Sequence, residues 1–291
     1  MKKTGEQIIF DIMALTVTTI FAVLCLLPIL YTLSGSFTDE LTLAQGLKLI
    51  PEKFSLDAYK MVLANPASML RAYGITIALV VFGTAISLWL TTMTAYVLYR
   101  KDYKWRNKLS FFLFFTTLFS GGLVPHYILN CALGLRNTFM VMLVSGLVNV
   151  FNIIVIRSFF TSSVPQSLVE STKIDGANDF TIYAKIVMPT SLPILATVGL
   201  LIALAYWNNW STAAIYVTNP KLYPLQYYLY QIFQGAEMSQ ALAESGLVTE
   251  VKPAESYKLA MTIFTMGPVV LFYPFVQKYF VAGVTIGAIK E

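Results

Sequence analysis

The sequence predicts an all-α, polytopic membrane protein with six transmembrane helices and both termini on the cytoplasmic side. Three observations predict it. Of the 291 residues 57% are hydrophobic and 12% charged. Six long stretches contain no Asp, Glu, Lys or Arg, and the basic residues crowd into alternate short loops. A soluble domain is about 25% charged, so too few polar side chains remain here to coat a water-facing surface. With a mean hydropathy of +0.67, the composition excludes a soluble enzyme and a disordered chain. The formal charge of +5 would hint at nucleic acid in a soluble protein. In a membrane chain it records basic cytoplasmic loops, so no nucleic-acid partner is expected. The two cysteines, Cys25 and Cys131, lie in apolar runs, read as buried small side chains, with no metal-ligand spacing. No metal site is expected.

A bilayer core of about 30 Å needs about 20 apolar residues as helix, because the backbone must satisfy its own hydrogen bonds there. The charge-free stretches run Ile12 to Thr38, Ala72 to Tyr99, Leu109 to Leu135, Asn137 to Ile156, Ile186 to Pro220 and Leu259 to Gln277. They place spans at about 12–35, 73–98, 109–131, 138–157, 191–216 and 259–278, within one transmembrane domain covering 1–291. The fifth stretch leaves room for a connecting segment. Leu222 to Ala236 is also uncharged but holds only 15 residues, five of them aromatic, which suits a membrane interface or a packed loop. The first span follows a basic start, yet it exceeds the about 7–15 apolar residues of a signal peptide and is expected to be retained.

The loops set the orientation. Arg100, Lys101, Lys104, Arg106 and Lys108 fill the link between spans two and three, opposed only by Asp102. With Lys2, Lys3, Lys278 and Lys290 on the same side, the cytoplasmic face collects twelve basic residues in short segments. The external face collects eight, six of them in the loops 36–71 and 217–257 beside eight acidic residues, with Arg136 and Lys258 outside those bounds.

Ion-coupled transport needs charged or titratable groups at depth, and the spans offer only His126. There is no P-loop, no Rossmann glycine pattern and no Cys/His cluster, so the chain carries no catalytic residue and no cofactor of its own. Energy for uphill transport must come from a partner. The polar residues at depth are uncharged: Tyr96, Ser120, Asn149, Asn152, Tyr206, Trp207 and Asn208. Such groups either hold helices together or form a path for a neutral, hydroxyl-rich solute such as a sugar. A secondary transporter, a membrane-embedded enzyme and a scaffold or receptor subunit are the rival readings. The first two lack the side chains they need; the third leaves the next segment unexplained.

Residues 163–190 form the longest cytoplasmic loop. Pro165 suits a first helical turn, with Ser163 available as its cap. The helix should pass Glu170 to about Ile174 and break at Asp175-Gly176, where glycine supplies the left-handed conformation. Asn178 or Asp179 then caps a second helix carrying Phe180, Ile182, Tyr183, Ile186 and Val187, stopped by Pro189. Two short helices around a glycine corner, with apolar rings among charges, form a knob suited to a groove on another protein.

This segment resembles the shared motif of the permease subunits of binding-protein-dependent ABC importers. That motif is Glu-Ala-Ala, three residues, Gly, nine residues, then Ile-x-Leu-Pro. Glu170-Ser171-Thr172, Gly176 and Ile186-Val187-Met188-Pro189 fall at that spacing without a gap. The departures are Ser171, Thr172 and Met188. Ile174-Asp175-Gly176-Ala177, Phe119 to Pro125, Leu133 to Thr138, Trp207-Asn208 and the ending Phe280 to Glu291 are similar to the carbohydrate, maltose-type branch and its second permease subunit. Within it the sequence looks most like subunits for oligosaccharides or polysaccharide fragments.

The resemblance implies a type I ABC importer permease fold in a bacterial cytoplasmic membrane. It implies four kinds of partner besides the lipid bilayer: a homologous second permease, two ATPase subunits that bind the ATP and magnesium, an extracytoplasmic sugar-binding protein, and a carbohydrate substrate. The knob would be the coupling helix pair seated on the ATPase, using Glu170, Ser171, Thr172, Asp175, Gly176, Ala177, Ile186 and Pro189. Phe180 and Tyr183 are expected from spacing at the buried contact. Tyr223, Tyr227, Gln234 and Gly235 in the long external loop are expected to meet the binding protein.

Overall fold

The protein is described by a computed structural model over residues 5–46, 48–64, 66–244 and 255–288, with side chains at 239–244, 272–273 and 275–288 outside the description. In chain order the helices are α1 (Gly5–Ser36), α2 (Glu40–Leu43), α3 (Asp57–Ala64), α4 (Pro66–Tyr99), α5 (Arg106–Leu118), α6 (Leu123–Ala132), α7 (Phe139–Val144) and α8 (Val150–Ser163). They continue as α9 (Gln166–Ile174), α10 (Asp179–Ile182), a π turn (Tyr183–Val187), α11 (Met188–Thr190), α12 (Leu192–Trp207), α13 (Ser211–Tyr216), α14 (Leu225–Glu244) and α15 (Glu255–Ala288). Among the described residues extended pairing is limited to one isolated bridge, Thr38 to Phe54. The fold is all-helical.

The chain forms two compact units, Met1–Ala67 with Leu229–Val269 and Ser68–Tyr228 with Val270–Glu291. In the first, α1 is apolar along its length, and Thr16, Thr18, Thr19 and Thr32 each donate to the carbonyl four residues earlier at 2.7–2.8 Å. Those bonds let an apolar helix carry hydroxyls without unpaired donors. Cys25, expected among buried side chains, is exposed there, because the apolar window of α1 is exposed throughout. After α1 the chain stacks Phe37 on Phe54 and Tyr59, with ring centroids 5.4 and 4.8 Å apart. The Glu40 carboxylate then accepts from Glu255 N, Ser256 N and Ser256 Oγ at 3.0, 3.0 and 2.5 Å, closing the N-terminus of α15.

The second unit is built on α4. Its buried face is lined by small residues, including Gly83, Ser87, Thr91 and Ala95, so neighbouring helices approach closely. The Tyr206 ring of α12 fills the space beside Gly83, where an added Cβ would lie 2.5 Å from it.

Among the described residues two of the six expected spans, α1 and α4, are single helices long and apolar enough to cross a membrane. The third is broken into α5 and α6, bent by 116°: Phe119 is extended and Gly122 has φ 85°, which ends one helix and starts another. The fourth divides at Ser145–Asn149 into α7 and α8, with Asn149 accepting from Asn152 N at 3.3 Å as the cap of α8. The fifth ends at Trp207 in α12 and resumes as α13, and Asp179–Thr190 meets α12 at 85°. The expected loop 217–257 contains α14; its residues 245–254, like Lys2, Lys3, Lys290 and Glu291, lie outside the described residues. α15 covers the sixth stretch.

Candidate functional site

The Glu170–Pro189 segment folds as a helix pair around Gly176. Pro165, not Ser163, sits at the N-cap of α9. Ser163 is instead the last residue of α8, because apolar packing of Phe160 and Val164 carries that helix to the end of the stretch. At the other end Gly176 N donates to Lys173 O at 3.0 Å and Ala177 N to Thr172 O at 3.2 Å. This paired closure needs a left-handed residue, and Gly176 supplies it at φ 84°. Asn178 caps α10, accepting from Thr181 N at 2.8 Å. Ser171 and Thr172 return their hydroxyls to Leu168 O at 3.1 and 2.7 Å. Both therefore behave locally like the alanines they replace.

Pro189 does not stop the second helix. The chain widens into the π turn Tyr183–Val187, in which Met188 N donates to Tyr183 O. That extra residue shifts the hydrogen-bond register before the proline, whose missing N–H then falls in the first turn of α11. Thr190 Oγ1 donates to Ile186 O and Val187 O, which supports the carbonyls at this point. The turn to α12 comes at Ser191.

Glu170, Ser171, Asp175, Gly176 and Pro189 are exposed, Thr172, Ala177 and Ile186 are half-buried, and Phe180 is 64% exposed. Tyr183 corrects the expectation that it joins Phe180 at a contact surface. It is buried inside the chain, where its hydroxyl shares a 2.7 Å hydrogen bond with Thr92 and its ring lies 5.4 Å from Tyr96.

Beside the pair lies a cleft of about 220 Å³ lined by Lys101, Gln166, Glu170 and Lys173. Its floor is Arg100, at the end of α4 and only 6% exposed. Its guanidinium donates Nε and Nη2 to the two Asp102 oxygens at 2.9 and 2.6 Å, and Nη1 to Tyr96 OH and to Asp179 Oδ1, both at 2.6 Å. Lys173 Nζ reaches the same Asp102 at 2.6 Å. Hydrogen bonds from Arg100 and then Lys173 hold the Asp102 carboxyl well below the usual carboxylate range. The Asp102 bond in turn holds the guanidinium firmly charged.

The residues expected along a polar path divide in two. Tyr96 and Tyr206 are buried and committed, Tyr96 to Arg100 and Tyr206 through a 2.8 Å bond to Leu143 O at the end of α7. Asn152 is buried behind the α8 cap. Ser120, Asn149 and Asn208 are exposed and Trp207 is half-buried. Ser120 accepts from Gly122 N, and Asn208 Oδ1 from Gln226 Nε2. Of the residues expected to face a binding protein, Tyr227 is buried edge-to-face against Tyr223, 4.6 Å away. Gln234 and Gly235 on α14 are exposed. His126 stands edge-on to Tyr216 at 6.4 Å.

Residues 104–286 match the family described as the inner membrane component of binding-protein-dependent transport systems. The chain belongs to that family. A polygalacturonan/rhamnogalacturonan transport system permease protein of Bacillus subtilis (strain 168), YtcP, is 36% identical over 97% of this chain and 98% of its own length. Protein LplC of the same organism is 35% identical over 100% of this chain and 98% of itself. A solved bacterial ABC transporter, involved in the import of the acidic polysaccharide alginate, contains a chain that superposes with a TM-score of 0.82. That chain is 31% identical, over 96% of this one and 99% of itself.

As a member of this family the protein is a permease subunit, a membrane component of an ABC transporter. The Arg100 cluster was missed by sequence reasoning, which counted Arg100 only among basic loop residues. Two signals stood in the sequence: Tyr96 and Arg100 are one helical turn apart at the end of a charge-free stretch, and Asp102 is a lone acid in a basic run.

Proposed function

We propose that the chain is the transmembrane permease subunit of an ATP-driven carbohydrate importer, taking up oligosaccharides or polysaccharide fragments. It crosses a bacterial cytoplasmic membrane six times with both termini inside. The observation that carries the reading is the exposed, glycine-cornered helix pair at Glu170–Pro189, in a chain matched end to end by polysaccharide-system permeases. A homologous permease, two ATPase subunits holding ATP and magnesium, and an extracytoplasmic sugar-binding protein complete the machine. This subunit itself catalyses nothing.

Closure of the ATPases on ATP displaces the helix pair, and the displacement switches the spans between inward- and outward-open arrangements. Glu170, Asp175, Gly176 and Phe180, all exposed on the pair, face the ATPase. Exposed Gln234 and Gly235 offer the surface for the binding protein. Ser120, Asn149, Trp207 and Asn208 are the groups that hydrogen-bond or stack on a passing sugar.

Affinity purification of the tagged chain in mild detergent should recover an ATPase, a second permease and a sugar-binding protein by mass spectrometry. Pectic or uronic-acid fragments should then stimulate ATP hydrolysis by the reconstituted complex. Recovery of the chain alone, from an extract that keeps other ABC complexes intact, would refute the reading. Gly176→Val forces a β-branched side chain into the left-handed region at a strain of about 1–2 kcal/mol, and should abolish uptake while membrane insertion persists. Normal uptake by that variant would remove the helix pair from the mechanism.

A further inference from the structure

Among the described residues Arg100 is the one charged side chain in the buried set. Apolar packing of similar volume would hold two helices together as well or better, because a buried ion must recover the hydration it loses. What an apolar residue cannot do is fix direction. A guanidinium is a planar fork whose donors satisfy acceptors only at set angles. Here one edge grips both oxygens of Asp102, in the chain just beyond α4, and Nη1 grips Asp179 at the start of α10 and Tyr96 within α4. Three directions are satisfied at once, and Asp179 lies 79 residues away in sequence.

Two further bonds flank this pin: Thr92 to Tyr183 within the same segment, and Tyr99 OH to Val164 O at 2.9 Å in the link just before it. Each is a single hydrogen bond about which a helix can swivel. They hold the segment near α4 but, taken alone, set its direction less strictly than the guanidinium fork does. The covalent route forward into α12 passes the 85° bend beside Ser191, and the route back to α8 passes the extended Val164 and Pro165, which makes both poor push-rods. By contrast α4 runs unbroken for 34 residues.

We propose that Arg100 is a positioning residue that pins the Gln166–Thr190 segment to the end of α4, so that the two move as one rigid lever. A displacement of the segment then turns α4 directly, through the guanidinium, instead of being absorbed at the bend before α12. The inference rests on the proposed coupling role of the segment and adds the element to which the motion passes.

The test uses the reconstituted complex with its ATPases and binding protein. Spin labels at Lys101→Cys and Ser171→Cys, both exposed, in a Cys25→Ala, Cys131→Ala background, report the distance between the end of α4 and α9. It should stay single and unchanged between nucleotide-free and ATP-bound states in the otherwise native chain, and broaden in Arg100→Met. Sugar transported per ATP hydrolysed should fall at least tenfold in Arg100→Met. Arg100→Lys restores the charge but not the fork, so it should recover assembly without recovering that ratio. A purely stabilising role would be rescued by lysine.

If Arg100→Met fails to assemble, Asp179→Ala carries the same measurement, because Asp179 is 65% exposed and removing its acceptor leaves Asp102 on the guanidinium. A wild-type transport ratio in assembled Arg100→Lys and Asp179→Ala, or a Lys101–Ser171 distance that changes with nucleotide in the native chain, overturns the lever. Failure of the ATPases to co-purify with the native chain would instead overturn the coupling role beneath it.

Discussion

Arg100 and Glu40 each hold the end of a helix, and they do so with opposite chemistry. At Arg100 a cation taken out of water is balanced by two carboxylates that remain 53% and 65% exposed, with a tyrosine hydroxyl as the third acceptor. At Glu40 a carboxylate meets neutral dipoles, two backbone N–H groups and one hydroxyl, at the positive end of α15. Stacked rings of Phe37, Phe54 and Tyr59 stand in the same unit, and Ser36 shares a 2.8 Å bond with the Tyr59 hydroxyl. The contrast shows why the first joint is sensitive to which partner is lost and the second is not. A dipole left without its ion rehydrates cheaply, whereas a buried ion left without its counter-charge does not.

The largest effect should come from Asp102→Ala. It removes both hydrogen bonds from Arg100, the one from Lys173 and a counter-charge while Arg100 stays buried, and should cost about 2–3 kcal/mol, below the full penalty of a wholly buried pair because Asp102 is half in water. Arg100→Met should cost only about 1 kcal/mol, since it removes the buried ion and leaves Asp102 and Asp179 to rehydrate. Thermal unfolding in detergent decides the order, and a greater loss in Arg100→Met would break the argument. The pH dependence has a definite sign. The folded carboxyl of Asp102 is lowered, so its contribution is complete above the ordinary carboxylate range of about 3.9 and is lost as pH falls through and below it. Between pH 5 and 8 this joint should not weaken.

Much of the fold was legible in the sequence because it is written in apolar runs and turn chemistry. Gly176, a cap at Asn178 or Asp179 and the limit of α9 near Ile174 were readable since each is a local backbone requirement, and the structure puts the cap at Asn178. The charge-free stretches found the apolar segments but not their breaks. The 116° bend between α5 and α6 and the division of α7 from α8 occur inside uninterrupted hydrophobic sequence, where composition carries no signal. The candidate site was legible along the chain and illegible across it. Tyr183 looked like a surface ring from its spacing, but a hydroxyl on Thr92, 91 residues away, turns it inward. Tyr206 similarly looked available at depth, yet Gly83 and Gly146 leave a slot that its ring fills. Such pairings are fixed by packing between distant helices and not by any local pattern.

The second prediction tests the other side of the comparison. Glu40→Ala should cost about 1 kcal/mol, the usual loss for a helix cap, and the cost should be local. Amide hydrogen exchange at Glu255 and Ser256 should accelerate while amides around Phe37 and Tyr59, held by the ring stack, keep their protection. Glu40→Gln, which keeps one acceptor oxygen, should fall between. Unchanged exchange at Glu255 and Ser256 would mean that the carboxylate is a bystander, and that the rings alone hold this end.

Lys173→Ala should have the smallest effect, and it sharpens the first comparison. The Lys173–Asp102 pair is 2.6 Å long but both side chains are about half exposed, at 43% and 53%, so it belongs with surface pairs worth about 0.2–1 kcal/mol. The variant should shift the unfolding midpoint by a degree or two at most, and about 1 M salt, with its Debye length of about 3 Å, should erase the difference. Asp102 has two reasons to matter: it neutralises Arg100 and it ties α9 to the chain beyond α4 through Lys173. If the first dominates, Lys173→Ala stays small while Asp102→Ala is large. Should Lys173→Ala instead match Asp102→Ala, the joint would be a bridge spread over several exposed charges, and the buried guanidinium would lose its central place in it.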